Sequence, residues 1–143
     1  VSPLPLRVVT PEKLAWEGEV DALTVPAWEG SLGILPGHAP LLAQLKEGVI
    51  RMRNGGEERF LAVSGGFVEV KAGRASLFAE TAEMAGDVDL ERARQAAERA
   101  RQALRAASSE ADDERAAAAL RRALARLRAA DLWRAAGRSR RTS

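Results

Sequence analysis

Apolar and polar residues alternate along the first 85 positions of the chain and then cease to. Leu6 to Val9, Asp21 to Val25, Leu42 to Lys46, Val49 to Arg53, Arg59 to Val63, Phe67 to Lys71 and Ala75 to Ala79 each have the period of two and the valine and leucine content of a short strand. Asn54-Gly55-Gly56 and Ala72-Gly73 predict tight hairpins between neighbouring runs. Short strands separated by turns every ten residues or so predict two packed antiparallel sheets. Phe60, Phe67 and Phe78 are expected in that core or at its edge. Trp28 is expected to be buried, with an exposed, partner-binding role as the alternative.

From Asp87 the period becomes that of a helix, with Asp87 as N-cap and Asp89 and Glu91 at the positive end of the helix dipole. Leu90, Ala93, Ala97, Ala100, Leu104 and Ala107 recur at spacings of three and four, a narrow stripe suited to one partner helix. Ser109 with Asp112 three residues on makes a capping-box variant that opens a second helix, with Ala117, Leu120, Leu124 and Leu127 as its facing stripe and an end near Trp133. The fold class is therefore α+β: an antiparallel β-sandwich over 1–86, an antiparallel two-helix hairpin over 87–136, and a flexible basic tail over 137–143. An alanine methyl in the seam stabilises by about 0.8 kcal/mol, against roughly 1.5–3 kcal/mol for a leucine. The hairpin is thus expected to be held weakly and to open while each helix survives; a permanent, rigid spacer is the alternative.

Composition agrees with this division. All six prolines lie at or before Pro40, and residues 1–86 carry 8 basic and 11 acidic side chains against 14 and 9 in 87–143. A basic helical part follows a mildly acidic sheet part. No apolar run is long enough to span a bilayer and no signal peptide is evident, so a soluble chain is expected. With no cysteine and one histidine, neither a metal cluster nor a nucleophilic triad is expected. Asp112 and Asp113 fit capping better than acid–base catalysis, and His38 fits a loop-ordering hydrogen bond better than a base. Arg92 and Arg99 share one helix face and Arg122 and Arg126 another; converging, they suit a polyphosphate, while apart they form a solvated face laced with Glu91, Glu98 and Glu114. An arginine-rich nucleic-acid-binding module including Arg138, Arg140 and Arg141 is a further alternative, opposed by the interleaved acids and the lack of a stacking platform.

Two stretches carry a resemblance. Gly30 to Leu41, Gly-Ser-Leu-Gly-Ile-Leu-Pro-Gly-His-Ala-Pro-Leu, and Ala62 to Val70, Ala-Val-Ser-Gly-Gly-Phe-Val-Glu-Val, resemble signature segments of the epsilon subunit of the rotary F-type ATP synthase. The resemblance runs from Leu6 to about Leu132. It implies a noncatalytic central-stalk subunit, without catalytic residues, metal or required cofactor, at the cytoplasmic face of the bacterial plasma membrane and bound to the membrane only through the complex. Its implied partners are the gamma subunit and the c-ring, met by Glu29, Gly30, Ser31, Leu32, Gly33 and His38, with no nucleic acid. Val88-Asp89-Leu90-Glu91-Arg92-Ala93 is similar to the family's ATP-binding motif, with valine where the family has isoleucine or leucine. That similarity implies ATP as a regulatory ligand of Glu83, Val88, Asp89, Arg92, Ala93, Arg99, Arg122 and Arg126. It also implies that the opened hairpin inhibits hydrolysis by presenting Arg121, Arg122, Arg126, Arg128 and Arg134 to the alpha and beta catalytic subunits. No phosphate-binding loop of the Gly-x-x-x-x-Gly-Lys-[Ser/Thr] type occurs, so ATP is expected as a sensed ligand and not a substrate.

Overall fold

Alternation in the sequence becomes alternation in space. The computed structural model describes residues 2–142, with side chains as far as Arg138. Its strands are β1 (Leu4–Val9), β2 (Leu14–Val20), β3 (Ala22–Ala27), β4 (Gly30–Ile34), β5 (Leu41–Gln44), β6 (Gly48–Asn54), β7 (Glu57–Ser64), β8 (Phe67–Lys71), β9 (Arg74–Phe78) and β10 (Thr81–Met84). They form one sheet in the order β2-β1-β9-β8-β5 and a second in the order β10-β7-β6-β3-β4, antiparallel throughout except for β1 beside β9. Leu4, Leu6, Val8, Val68 and Leu77 of the first sheet meet Leu23, Val25, Ile50, Leu61 and Val63 of the second in a fully buried core. Burial of this apolar surface is what holds the two sheets face to face.

Both predicted hairpins form. Gly55 and Gly56 take φ of +59° and +86° between the paired Asn54 and Glu57, and Ala72 and Gly73 take +51° and +77° between Lys71 and Arg74. Positive φ at both central positions matches the twist of the flanking strands. Three strands, β2, β4 and β10, lie outside the predicted runs. Phe60 is buried, whereas Phe67 is 42% exposed and stacks on Phe78 with ring centroids 4.9 Å apart. The expected burial of Trp28 is corrected: it is 61% exposed, because it sits in the two-residue turn between β3 and β4 and has no cross-strand neighbour to pack against.

After a single 3₁₀ turn at Ala85–Asp87 come helices α1 (Leu90–Arg105) and α2 (Glu110–Thr142). The N-cap of α1 is Asp89 and not Asp87: Val88 is extended, and the Asp89 carboxylate accepts a 3.2 Å hydrogen bond from the Arg92 amide. Ser109 does cap α2, its hydroxyl accepting from the Asp112 amide at 3.1 Å. Ala93, Ala97 and Ala100 of the α1 stripe are buried as expected. The predicted α2 stripe is corrected. Ala116, Ala123, Ala125, Ala129 and Ala130 are the buried positions, and Leu124 is 40% exposed. A helix wedged between α1 and the second sheet must be small on two faces, which moves its leucines to the flank. The helix also continues through Thr142, across residues assigned to a tail from 137; Ser143 and the Arg140 and Arg141 side chains lie outside the described residues.

The hairpin is folded against the outer face of the second sheet. There Phe60, Ala62, Ala85 and Ala129 form a second buried cluster, joined by Val49, Leu132 and Ala136. Strand β7 is consequently buried from Phe60 to Ser64 without alternation, since the core covers one face and α2 the other. Helix α1 packs on α2 and has no comparable contact with either sheet.

Candidate functional site

Between the helix pair and the second sheet lies a groove of about 890 Å³. Its position follows from alanine. Ala96, Ala100 and Ala103 on α1, and Ala116, Ala119 and Ala123 on α2, are too short to fill the space left where two helices meet a sheet. Four arginines project along its walls: Arg99 from α1, and Arg115, Arg122 and Arg126 from α2 at spacings of seven and four, which place them on one helix face. The sheet contributes Ser64, Thr81 and Glu83, with the Ser64 and Thr81 hydroxyls hydrogen-bonded to each other across β7 and β10.

Charge in the groove is unbalanced. Glu83 accepts from Arg126 Nε at 3.1 Å and Nη2 at 3.5 Å, a two-pronged contact joining β10 to α2. Arg115 pairs with Asp112 at 3.0 Å. Arg99 and Arg122 pair with no carboxylate among the described residues. Two uncompensated guanidiniums beside a third that is half occupied form a receptor for an anion with several oxygens, because each planar fork can donate to two of them.

The structure thus brings together Glu83, Arg99, Arg122 and Arg126 of the predicted ATP set. The motif residues occupy other places. Asp89 is committed to capping α1, Ala93 is fully buried in the helix seam, and Val88 lies half-buried in the linker before α1. Arg92 does not line the groove but lies four and seven residues before Ala96 and Arg99, on the same face of α1 near the groove's end. Arg115, Ser64 and Thr81 were not predicted. Arg115 was open to detection, being seven residues before Arg122; the hydroxyl pair has no sequence signal.

The five arginines assigned to the extended helix are not on one face. Arg122 and Arg126 line the groove, Arg128 and Arg134 are exposed, and Arg121 bridges Glu114 and Glu47 at 3.1 Å each. Hydrogen bonding to Glu114, supported by Glu47 and opposed by partial desolvation, raises the pKa of Arg121 above its ordinary value.

A second surface lies on the opposite side of the sandwich. The first sheet's outer face is uncovered and carries Leu42, 69% exposed, together with Phe67 and Phe78. Trp28, in the turn between β3 and β4, and Leu35, just past the far end of β4, are both exposed, the one before and the other within the segment Glu29 to His38. Glu29, Gly30, Ser31 and Gly33 are exposed, and Leu32 packs against the core. Leu35 to His38 form a turn closed by the His38 amide on the Leu35 carbonyl, with Pro36 setting one φ and Gly37 taking +83°; His38 Nδ1 donates to the Ala39 carbonyl at 2.7 Å, ordering its own loop.

Residues 3–85 match the family described as ATP synthase, Delta/Epsilon chain, beta-sandwich domain, and residues 87–131 match its long alpha-helix domain. An ATP synthase epsilon chain from Desulforamulus reducens is 48% identical over 126 residues, 88% of this chain and 96% of the relative. One from Halalkalibacterium halodurans is 48% identical over 107 residues, covering 75% and 80%. A chain in the cryo-EM structure of the Euglena gracilis mitochondrial ATP synthase, showing OSCP, F1 and c-ring, superimposes with a TM-score of 0.74 at 25% identity, covering 83% of this chain and 76% of that one.

Proposed function

The chain belongs to the ATP synthase delta/epsilon chain family, and from that membership we propose a noncatalytic rotor subunit whose helical hairpin senses ATP and restrains hydrolysis. The sandwich joins gamma to the c-ring at the cytoplasmic face of a bacterial plasma membrane. Two features support the docking role: the exposed Leu42 and Phe67, the latter stacked on Phe78, on the outer face of the first sheet, and the exposed Trp28 in the β3–β4 turn beside Glu29. In the Euglena gracilis assembly the similar chain belongs to a complex containing F1 and the c-ring. None of the helices among the described residues is long and apolar enough to cross a membrane, in keeping with attachment through the complex.

The observation that carries the sensing role is the groove with its unpaired Arg99 and Arg122. It is walled by α1, α2 and the second sheet together, so a ligand bound in it stabilises the folded hairpin and nothing else. At ten times its dissociation constant such a ligand contributes about 1.4 kcal/mol, roughly a tenfold shift in population. Opened, the helices separate Arg121 from Glu47 and Arg126 from Glu83 and offer both, with Arg122, to acidic surfaces of the alpha and beta subunits. Millimolar ATP is expected to slow amide exchange in α1 and α2 of the isolated chain about tenfold while leaving β1 and β8, in the sheet away from the hairpin, unchanged. Identical exchange with and without ATP would remove nucleotide sensing and leave the structural role standing.

A further inference from the structure

Besides its apolar contacts, helix α2 is tied to the sandwich by ion pairs on different sides. One tie, Arg126 to Glu83, lies in the groove and is exposed to whatever binds there. The other, Arg121 to Glu47, is five residues earlier, about 140° around the helix, and outside the groove. We infer that Glu47 and Arg121 form an ionic latch, independent of nucleotide, that holds the hairpin closed when the groove is empty. The inference rests on the reading that the hairpin opens.

Three features make this pair a latch and not an incidental surface contact. Glu47 sits in the short link between β5 and β6, and with α2 in place its side chain is only 16% exposed. Separation from α2 therefore trades a close guanidinium for water. Arg121 is also held by Glu114, seven residues earlier on the same helix, at 3.1 Å. That second pair travels with α2 and survives opening, so it keeps the guanidinium pre-positioned and lowers the side-chain entropy lost on contact with Glu47. Finally, Arg121 is among the arginines that the open form offers to other subunits. Each re-closure withdraws it from them, so closing and disengaging are the same event. Because Arg121 is 46% exposed, the contact is screened by salt and its effect is modest.

A thiol beneath α2 reads the open fraction even when it is small. The chain has no cysteine, and Ala62 is buried in the cluster under Ala129. In an Ala62→Cys background without ATP, Glu47→Gln is expected to raise the thiol-labelling rate about threefold to fivefold at low salt. Raising the salt to about 0.5 M should accelerate the parent toward that rate and leave Glu47→Gln nearly unchanged. Glu114→Gln, which keeps the contact across the interface, should have a smaller effect. Ala129→Glu, which sets a carboxylate against Phe60, opens any hairpin able to open. Fast labelling in Ala129→Glu with no change in Glu47→Gln overturns the latch alone. Slow labelling in both overturns the latch together with the opening hairpin on which it rests.

Discussion

Replacement of Gly66 by alanine is expected to unfold the sandwich. Gly66 links β7 in one sheet to β8 in the other at φ +100°, and a Cβ there would lie 1.8 Å from the Phe78 carbonyl oxygen and 2.8 Å from its carbon. Both atoms belong to the backbone of β9's last residue, which is paired with β1 and β8 and cannot withdraw without breaking the first sheet. The Gly66 carbonyl also accepts from the Leu45 amide at 2.8 Å, so a shift of Gly66 itself breaks a second contact. Backbone strain and steric overlap together should cost more than about 3 kcal/mol, a large part of the roughly 5–15 kcal/mol of a typical domain. Gly55→Ala is the comparator: φ is +59° and its Cβ would meet nothing within 4 Å, which leaves only a left-handed penalty of about 1 kcal/mol. Urea unfolding followed by circular dichroism separates the two. Equal midpoints would show that crossing between sheets does not depend on close backbone approach.

The double variant Arg122→Ala, Arg126→Ala is expected to abolish measurable ATP binding. Each guanidinium can form charge-assisted hydrogen bonds contributing about 1.5–3 kcal/mol, so loss of two lowers affinity by roughly two to four orders of magnitude. Arg126→Ala has an added effect, since it leaves the Glu83 carboxylate without its partner and facing the bound phosphates. Titration calorimetry on the isolated chain provides the measurement, with the fold checked by circular dichroism. Unchanged affinity in the double variant would move the nucleotide out of this groove.

Strands with one face in the core were plain in the sequence, because burial on one side writes itself as alternation: β1, β3, β6, β8 and β9 all lie within predicted runs or overlap them. The strands that escaped have physical reasons. Strand β4 reads Gly-Ser-Leu-Gly-Ile and buries only Ile34, while β10 is four residues long and buries none. Strand β2 interposes Glu17 and Gly18, and Gly18 is needed because the Trp16 ring lies where its Cβ would be, 2.7 Å away. On the helices, a spacing of seven singles out Arg92 and Arg99 and a spacing of four Arg122 and Arg126, but neither shows what stands opposite. Glu83 was brought in by resemblance alone, since no local pattern links β10 to a helix 43 residues later. The pairing of Arg121 with Glu47, 74 residues away, has no signal in the sequence. Contacts set by tertiary docking of side chains are invisible to periodicity, which records only the side on which each element is dry.

The parallel pairing of β1 with β9 joins Leu6 to Ala75 and Val9 to Phe78. During synthesis the first strand must therefore wait, with Leu6 and Val8 uncovered, until some seventy further residues have left the ribosome. Such a long loop closure is slow, whereas each helix of the hairpin forms locally and fast. The landing surface for α2 is built on β6, β7 and Ala85, the last of which follows β10, so it is complete only as the last strands settle, and the nascent helices have nowhere to dock before then.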